Sequence, residues 1–141
     1  MIFGISDPEN IGYQLKALRI ALDKKQAWLS SVSEINQLAI SAFETGRTKL
    51  YSYYFDIPKL TKILTDEAER QIKEHGEWFR EYLALRFYTN MIDIFENDPI
   101  KQREYYEHMT GYIRVLTAMG SSPYEDRKED SDAVNPVSHT T

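Results

Sequence analysis

Between Gln26 and Arg47 the chain reads QAWLSSVSEINQLAISAFETGR, and this stretch constrains the fold more than any other. Two short helical patterns flank a tight connection. Gln26 to Val32 predicts a helix with Leu29 inward, and Ser33, Glu34 and Ile35 make the turn. Asn36 is suited to cap a further helix that runs to about Thr45, and Gly46 follows its end. Ile40 and Phe43, three apart, face inward, whereas Gln37, Leu38 and Ser41 lie on the opposite side. A helix-turn-helix reads this way in sequence, and such a pair serves to place its second helix in a DNA groove.

The flanking segments extend the pattern. Asp7 and Pro8 precede a first helix from about Glu9 or Asn10 to Leu22, with Ile11, Leu15, Leu18 and Leu22 on its buried face. After Lys49 comes the aromatic connection LYSYYF. A fourth helix is predicted over Ile57 to Leu64, with Pro58 in its first turn and Leu60, Ile63 and Leu64 inward.

From about Ile11 to Leu64 these residues resemble the Cro/CI-type repressor DNA-binding domain, also called the XRE family. In IGYQLKALR, Leu15, Leu18 and Arg19 stand where that family keeps two leucines and a basic residue. Gln26 stands where it opens the second helix with a glutamine. Leu29, Ile35 and Ile40 match the spacing of three core positions around the turn. ISAFETGR resembles its Ile-Ser, acidic, Gly and basic stretch. No insertion is needed from Ile11 to Lys49, but about three extra residues follow before the fourth helix aligns. The chain departs from the pattern at Glu34, which replaces the usual turn glycine and must accept a left-handed backbone or reshape the turn. It departs also at Asn36 (for Ser or Thr), Lys24 (for an apolar residue) and Trp28 (for a polar, exposed one).

The resemblance implies a recognition helix whose early residues reach base edges. Asn36 and Gln37 each carry a donor and an acceptor, suited to adenine, although Asn36 is equally a cap and Gln37 equally a solvated surface residue. Ser41 can reach a base or a phosphate, and Leu38 or Ala42 can pack on a thymine methyl. Gln26, with the amides that open its helix, is placed to hold a phosphate. Arg47, Lys49 and Lys25 are placed to meet the DNA backbone.

The second half reads as helix with a different composition. Asp66 to about Asn97 predicts one long helix with a break at Gly76. Trp78, Phe79, Tyr82, Leu83, Leu85, Phe87, Met91, Ile92 and Phe95 wrap more than one face, so this helix needs several partners, of which a second subunit is one candidate. Asp98–Pro99 signals the start of a last helix from Ile100 to about Met119, with an apolar stripe of Tyr105, Met109, Tyr112, Ile113 and Leu116. Residues 120–141 are polar and charged, and are expected to form a disordered tail.

Charge divides unevenly. The chain carries a net −5. Up to Leu60 there are seven Lys/Arg against six Asp/Glu, and from Thr61 ten against sixteen. The acid is thus concentrated away from the candidate DNA-binding part, whose modest charge predicts salt-sensitive binding. The absence of cysteine excludes disulfides and thiolate metal sites. No apolar run approaches a membrane span, and Met1 to Asn10 lacks the form of a signal peptide. The histidines His75, His108 and His139 show no H-E-x-x-H spacing, although Glu74–His75 and Glu107–His108 put such pairs on neighbouring helices. No G-x-S-x-G elbow and no phosphate-binding glycine loop occurs.

The expectation is therefore an all-α, cytoplasmic, non-enzymatic protein with no cofactor. Residues 1–65 would form a lambda-repressor-like helix-turn-helix domain, 66–119 a helical dimerisation region and 120–141 a tail. Its partners would be double-stranded DNA, a second copy of itself, and no membrane. The expected function is that of a dimeric repressor on an inverted-repeat operator. The alternative is a protein-binding module of antitoxin or anti-repressor type that uses the aromatic C-terminal helices.

Overall fold

The computed structural model describes residues 10–46 and 56–118, all of whose regular structure is helical. In chain order the helices are α1 (Ile11–Ala21), α2 (Gln26–Ser33), α3 (Gln37–Glu44), α4 (Asp56–His75), α5 (Trp78–Ile94) and α6 (Pro99–Ala118). The expected tail, Arg47, Lys49 and the LYSYYF connection lie outside the described residues.

α1 buries Ile11, Leu15 and Leu18 as its periodicity predicts, and Ala17 and Ala21 as well, because α3 and α5 cover it from two sides. Leu22, just beyond its end, is buried too. Gly12 is dictated by the contact with α3. A Cβ at this position would lie 2.1 Å from the Phe43 carbonyl oxygen, so any larger residue must push the two helices apart.

The α2–α3 connection has the expected geometry. Glu34 sits at φ 61, ψ 21, in the left-handed region that glycine prefers. Local bonds hold that conformation in place. The Ser30 hydroxyl donates to the Ile35 carbonyl (2.6 Å), and the Ile35 amide donates to the buried Ser33 hydroxyl (3.1 Å). Asn36 caps α3, its Oδ1 accepting from the Leu38 amide at 2.8 Å. Gly46, at φ 72, follows the end of α3.

One expectation about the second half is corrected. The fourth helix does not stop at Leu64. α4 runs unbroken from Asp56 to His75, through the expected 65/66 domain junction. Leu60, Leu64, Ala68 and Ile72 recur every four residues on its buried face, so the polar stretch around Thr65–Asp66 is the solvent side of one helix and not a gap between two. The break falls at Gly76 instead, at φ 105, and the Trp78 indole N–H donates back to the His75 carbonyl (2.8 Å). As for the several partners that α5 needs, the chain itself supplies three, and Trp78, Phe79, Tyr82, Leu85, Ile92 and Phe95 stay half-buried. α5 packs on α1, α6 and α4, burying Leu83, Ala84, Phe87 and Met91. Its hydrophobicity is that of a central helix.

α6 starts at the Asp98–Pro99 signal, with Asp98 Oδ1 accepting from the Lys101 amide (3.2 Å). It buries Tyr105 and Leu116, whereas Ile113, expected in the same stripe, is 42% exposed. Polar contacts tie the halves together. Gln14 Nε2 donates to the Tyr105 hydroxyl (2.9 Å), Asn90 Nδ2 to the Ala17 carbonyl (3.0 Å) and Gln71 Nε2 to the Leu22 carbonyl (3.0 Å). One continuous core links residues of α1–α3 with those of α4–α6.

Candidate nucleic-acid interface

The outward side of α3 presents Asn36, Gln37 and Leu38 as exposed residues, Leu38 at 80%. Ser41 and Ala42, one turn on, are half-buried. Gln37 has the freest side chain of the group, since no hydrogen bond among the described residues uses its carboxamide. Asn36 is more constrained. Its Oδ1 serves the α3 cap, which fixes the plane of its amide and directs its Nδ2 as the group left for an outside acceptor. A bidentate contact from Asn36 to a base would have to form around the cap.

Behind this face lies a polar cluster that joins three helices. Glu44, at the end of α3, is 1% exposed, and Arg19 of α1 is 7% exposed. The guanidinium grips the carboxylate in a fork, Nε to Oε2 at 2.8 Å and Nη2 to Oε1 at 2.9 Å. Its third nitrogen, Nη1, donates to the Lys24 carbonyl at 2.7 Å. Gln26 Nε2 of α2 donates to the same Glu44 Oε1, at 2.9 Å. A fork of this kind fixes both distance and plane. It therefore sets where α3 ends relative to α1, and where the first side chain of α2 is held.

Gln26 was expected to meet a phosphate directly. Here it is half-buried and one of its two amide hydrogens is engaged by Glu44, which leaves the other, and the backbone amides at the start of α2, to face outward. The carbonyl of Lys25 accepts from Trp28 and Leu29, and the Lys25 side chain makes no capping bond. Lys25 itself is exposed at this positive helix end. Lys24 leans instead over the Trp28 ring, 5.0 Å from its centroid, and toward Glu67 at 3.6 Å. Trp28 is half-buried against the core, which explains a large apolar residue at that position.

The sequence reading assigns Glu44 no hub role: Arg19 and the acidic position of ISAFETGR enter it separately. A signal was present. An acidic residue directly after the inward Phe43 lies next to the buried side of α3, where a carboxylate requires a partner. Electrostatically the face is nearly neutral. α2 and α3 contain no Lys or Arg, and among the described residues the exposed charges next to them in sequence are Asp23, Lys25 and Glu34. Among the described residues no group of three or more His, Asp or Glu is arranged to hold a metal ion. No described helix is long and apolar enough to cross a membrane. No family model, curated protein or solved structure matches this chain.

Proposed function

We propose that this protein is a sequence-specific DNA-binding regulator of the Cro/CI type, acting as a dimeric repressor on an inverted-repeat operator. The observation that carries the reading is the combination at α3: a short helix with Gln37 and Leu38 exposed and Ser41 half-buried one turn on, held from behind by the Arg19–Glu44–Gln26 cluster. An α-helix with its side chains is about 10–12 Å across, which suits a major groove about 12 Å wide. In this reading Gln37 reads a base edge with both ends of its carboxamide, and Leu38 packs on a thymine methyl. Ser41 reaches a base or phosphate, and Asn36 contributes its Nδ2. Gln26, Lys25 and the first amides of α2 take a phosphate, and Arg47 and Lys49 take others. The Arg19–Glu44 fork supplies the rigidity that direct readout needs, since a misplaced helix loses bidentate geometry.

A second reading, a protein-binding module of antitoxin type, is favoured by the absence of any cation within α2 and α3. The double substitution Gln37→Ala with Arg47→Ala separates the two. On the DNA reading it abolishes selective binding to an operator duplex while the thermal unfolding curve stays unchanged. Selective binding that survives the substitution rules out the assigned contacts.

A further inference from the structure

We propose that the outer side of α6 pairs with α6 of a second copy in antiparallel orientation, through Tyr106, Thr110, Ile113 and Thr117. These four follow one another at intervals of four, three and four residues, the spacing of a seam between two helices. They lie beside, not within, the face that Tyr105, Met109, Tyr112 and Leu116 turn to the rest of the chain. Tyr106 is 57% and Ile113 42% exposed. The two threonines do not make the seam polar. The Thr110 hydroxyl donates to the Tyr106 carbonyl and the Thr117 hydroxyl to the Ile113 carbonyl, both at 2.9 Å. Each hydroxyl hydrogen is thus satisfied within the helix, and the seam can be covered without stranding a donor.

Charge complementarity fixes the occupant and the direction. Glu107 and Arg114 border the seam on the side away from the core, and both are exposed. Neither enters an ion pair among the described residues, whereas Lys101 is paired with Glu104. In an antiparallel pair the layers are Tyr106 with Thr117 of the other copy, and Thr110 with Ile113 of the other copy. Glu107 lies between the first and second of these layers, and Arg114 of the other copy lies between the same two layers, two residues or about 3 Å along the axis from Glu107, within reach of both long side chains. Two symmetric Glu107–Arg114 pairs result. In a parallel pair the residues opposite Glu107 and Arg114 would be Met109 and Leu116, which face inward in their own chain, so no such pairing forms. The proposal extends the dimeric part of the functional reading but is tested without DNA, so either can fail alone.

The test is sedimentation equilibrium of the full chain at low salt, up to about 100 µM, a range that suits a one-helix interface smaller than the standard protein–protein contact. The wild type is expected to dimerise reversibly. Glu107→Arg or Arg114→Glu alone is expected to weaken the dimer about tenfold or more, because two attractive contacts become repulsive. The double variant carrying both changes should dimerise again, and an equimolar mixture of the two single variants should form heterodimers. Circular dichroism of each variant checks that the helices remain. A wild type that stays monomeric overturns the proposal. So does a dimer indifferent to either charge reversal, or a double variant that fails to recover.

Discussion

α2 and α3 are eight residues each, whereas α4, α5 and α6 have 17 to 20. The two regions are held in different ways. A helix of two turns is marginal alone, so the first region depends on fixed points: Asn36 as cap, Ser30 and Ser33 at the turn, Gly12 against Phe43, and the Arg19–Glu44–Gln26 cluster. The second region spreads its stability over a broad aromatic and aliphatic contact around α5. Placement in the first region is therefore concentrated in a few polar groups. In the second it is distributed over many apolar contacts, so a single loss leaves a cavity and not an unpaired charge.

This contrast can be broken at its strongest point first. Glu44→Ala leaves the Arg19 guanidinium buried without its counter-charge, and is expected to cost about 3–5 kcal/mol in urea unfolding. Replacing both partners with apolar residues (Arg19→Met, Glu44→Leu) should return most of that stability. It should still impair α3-dependent binding, because Gln26 loses its anchor. Phe87→Ala, at the centre of the second region, is expected to cost a similar ~3–5 kcal/mol, with no partner substitution able to restore it except one that refills the volume. Gly12→Ala is expected to cost about 1–3 kcal/mol, with the loss visible in amide exchange of α3 before that of α5.

A smaller effect sharpens the comparison through pH. Glu67 of α4 accepts two bonds from Arg70 and one from Gln71, with Lys24 close by. The Arg70 bonds lead in holding its pKa down, from 4.5 to about 2. A depressed carboxylate stabilises the fold above its unfolded value, and that contribution fades as pH falls from about 4.5 toward 2. Because the Arg70 side is open to solvent, the loss should be only about 1 kcal/mol. Glu67→Gln should remove most of this slope from an acid titration of stability. Lys62→Ala, which breaks an exposed pair with Asp66, should change stability by less than about 0.5 kcal/mol.

Local signals carried much of this architecture in the sequence. The Asn36 cap, the left-handed Glu34, the ends at Gly46 and Gly76 and the Asp98–Pro99 start are each set by a residue and its immediate neighbours. Features that depend on distant packing were not legible. Thr65–Asp66 looked like a boundary because a polar solvent face and a loop have the same composition. The many-sided apolarity of α5 did not reveal whether its partners lay in this chain or another. The fork between Arg19 and Glu44 needs two residues 25 apart to meet, and the role of Gly12 depends on a carbonyl of α3. At the candidate interface the sequence indicated which residues face outward. It did not indicate that Asn36 and Gln26 would already be partly engaged.

The most direct test of the proposed function is selection of duplexes from a randomised DNA pool by the full-length chain at about 100 mM salt, where nonspecific binding is restrained. The account predicts enrichment of an inverted repeat, with half-sites about one helical turn apart, that is lost on Gln37→Ala. A pool that returns unenriched would contradict it, as would a motif that Gln37→Ala leaves unchanged.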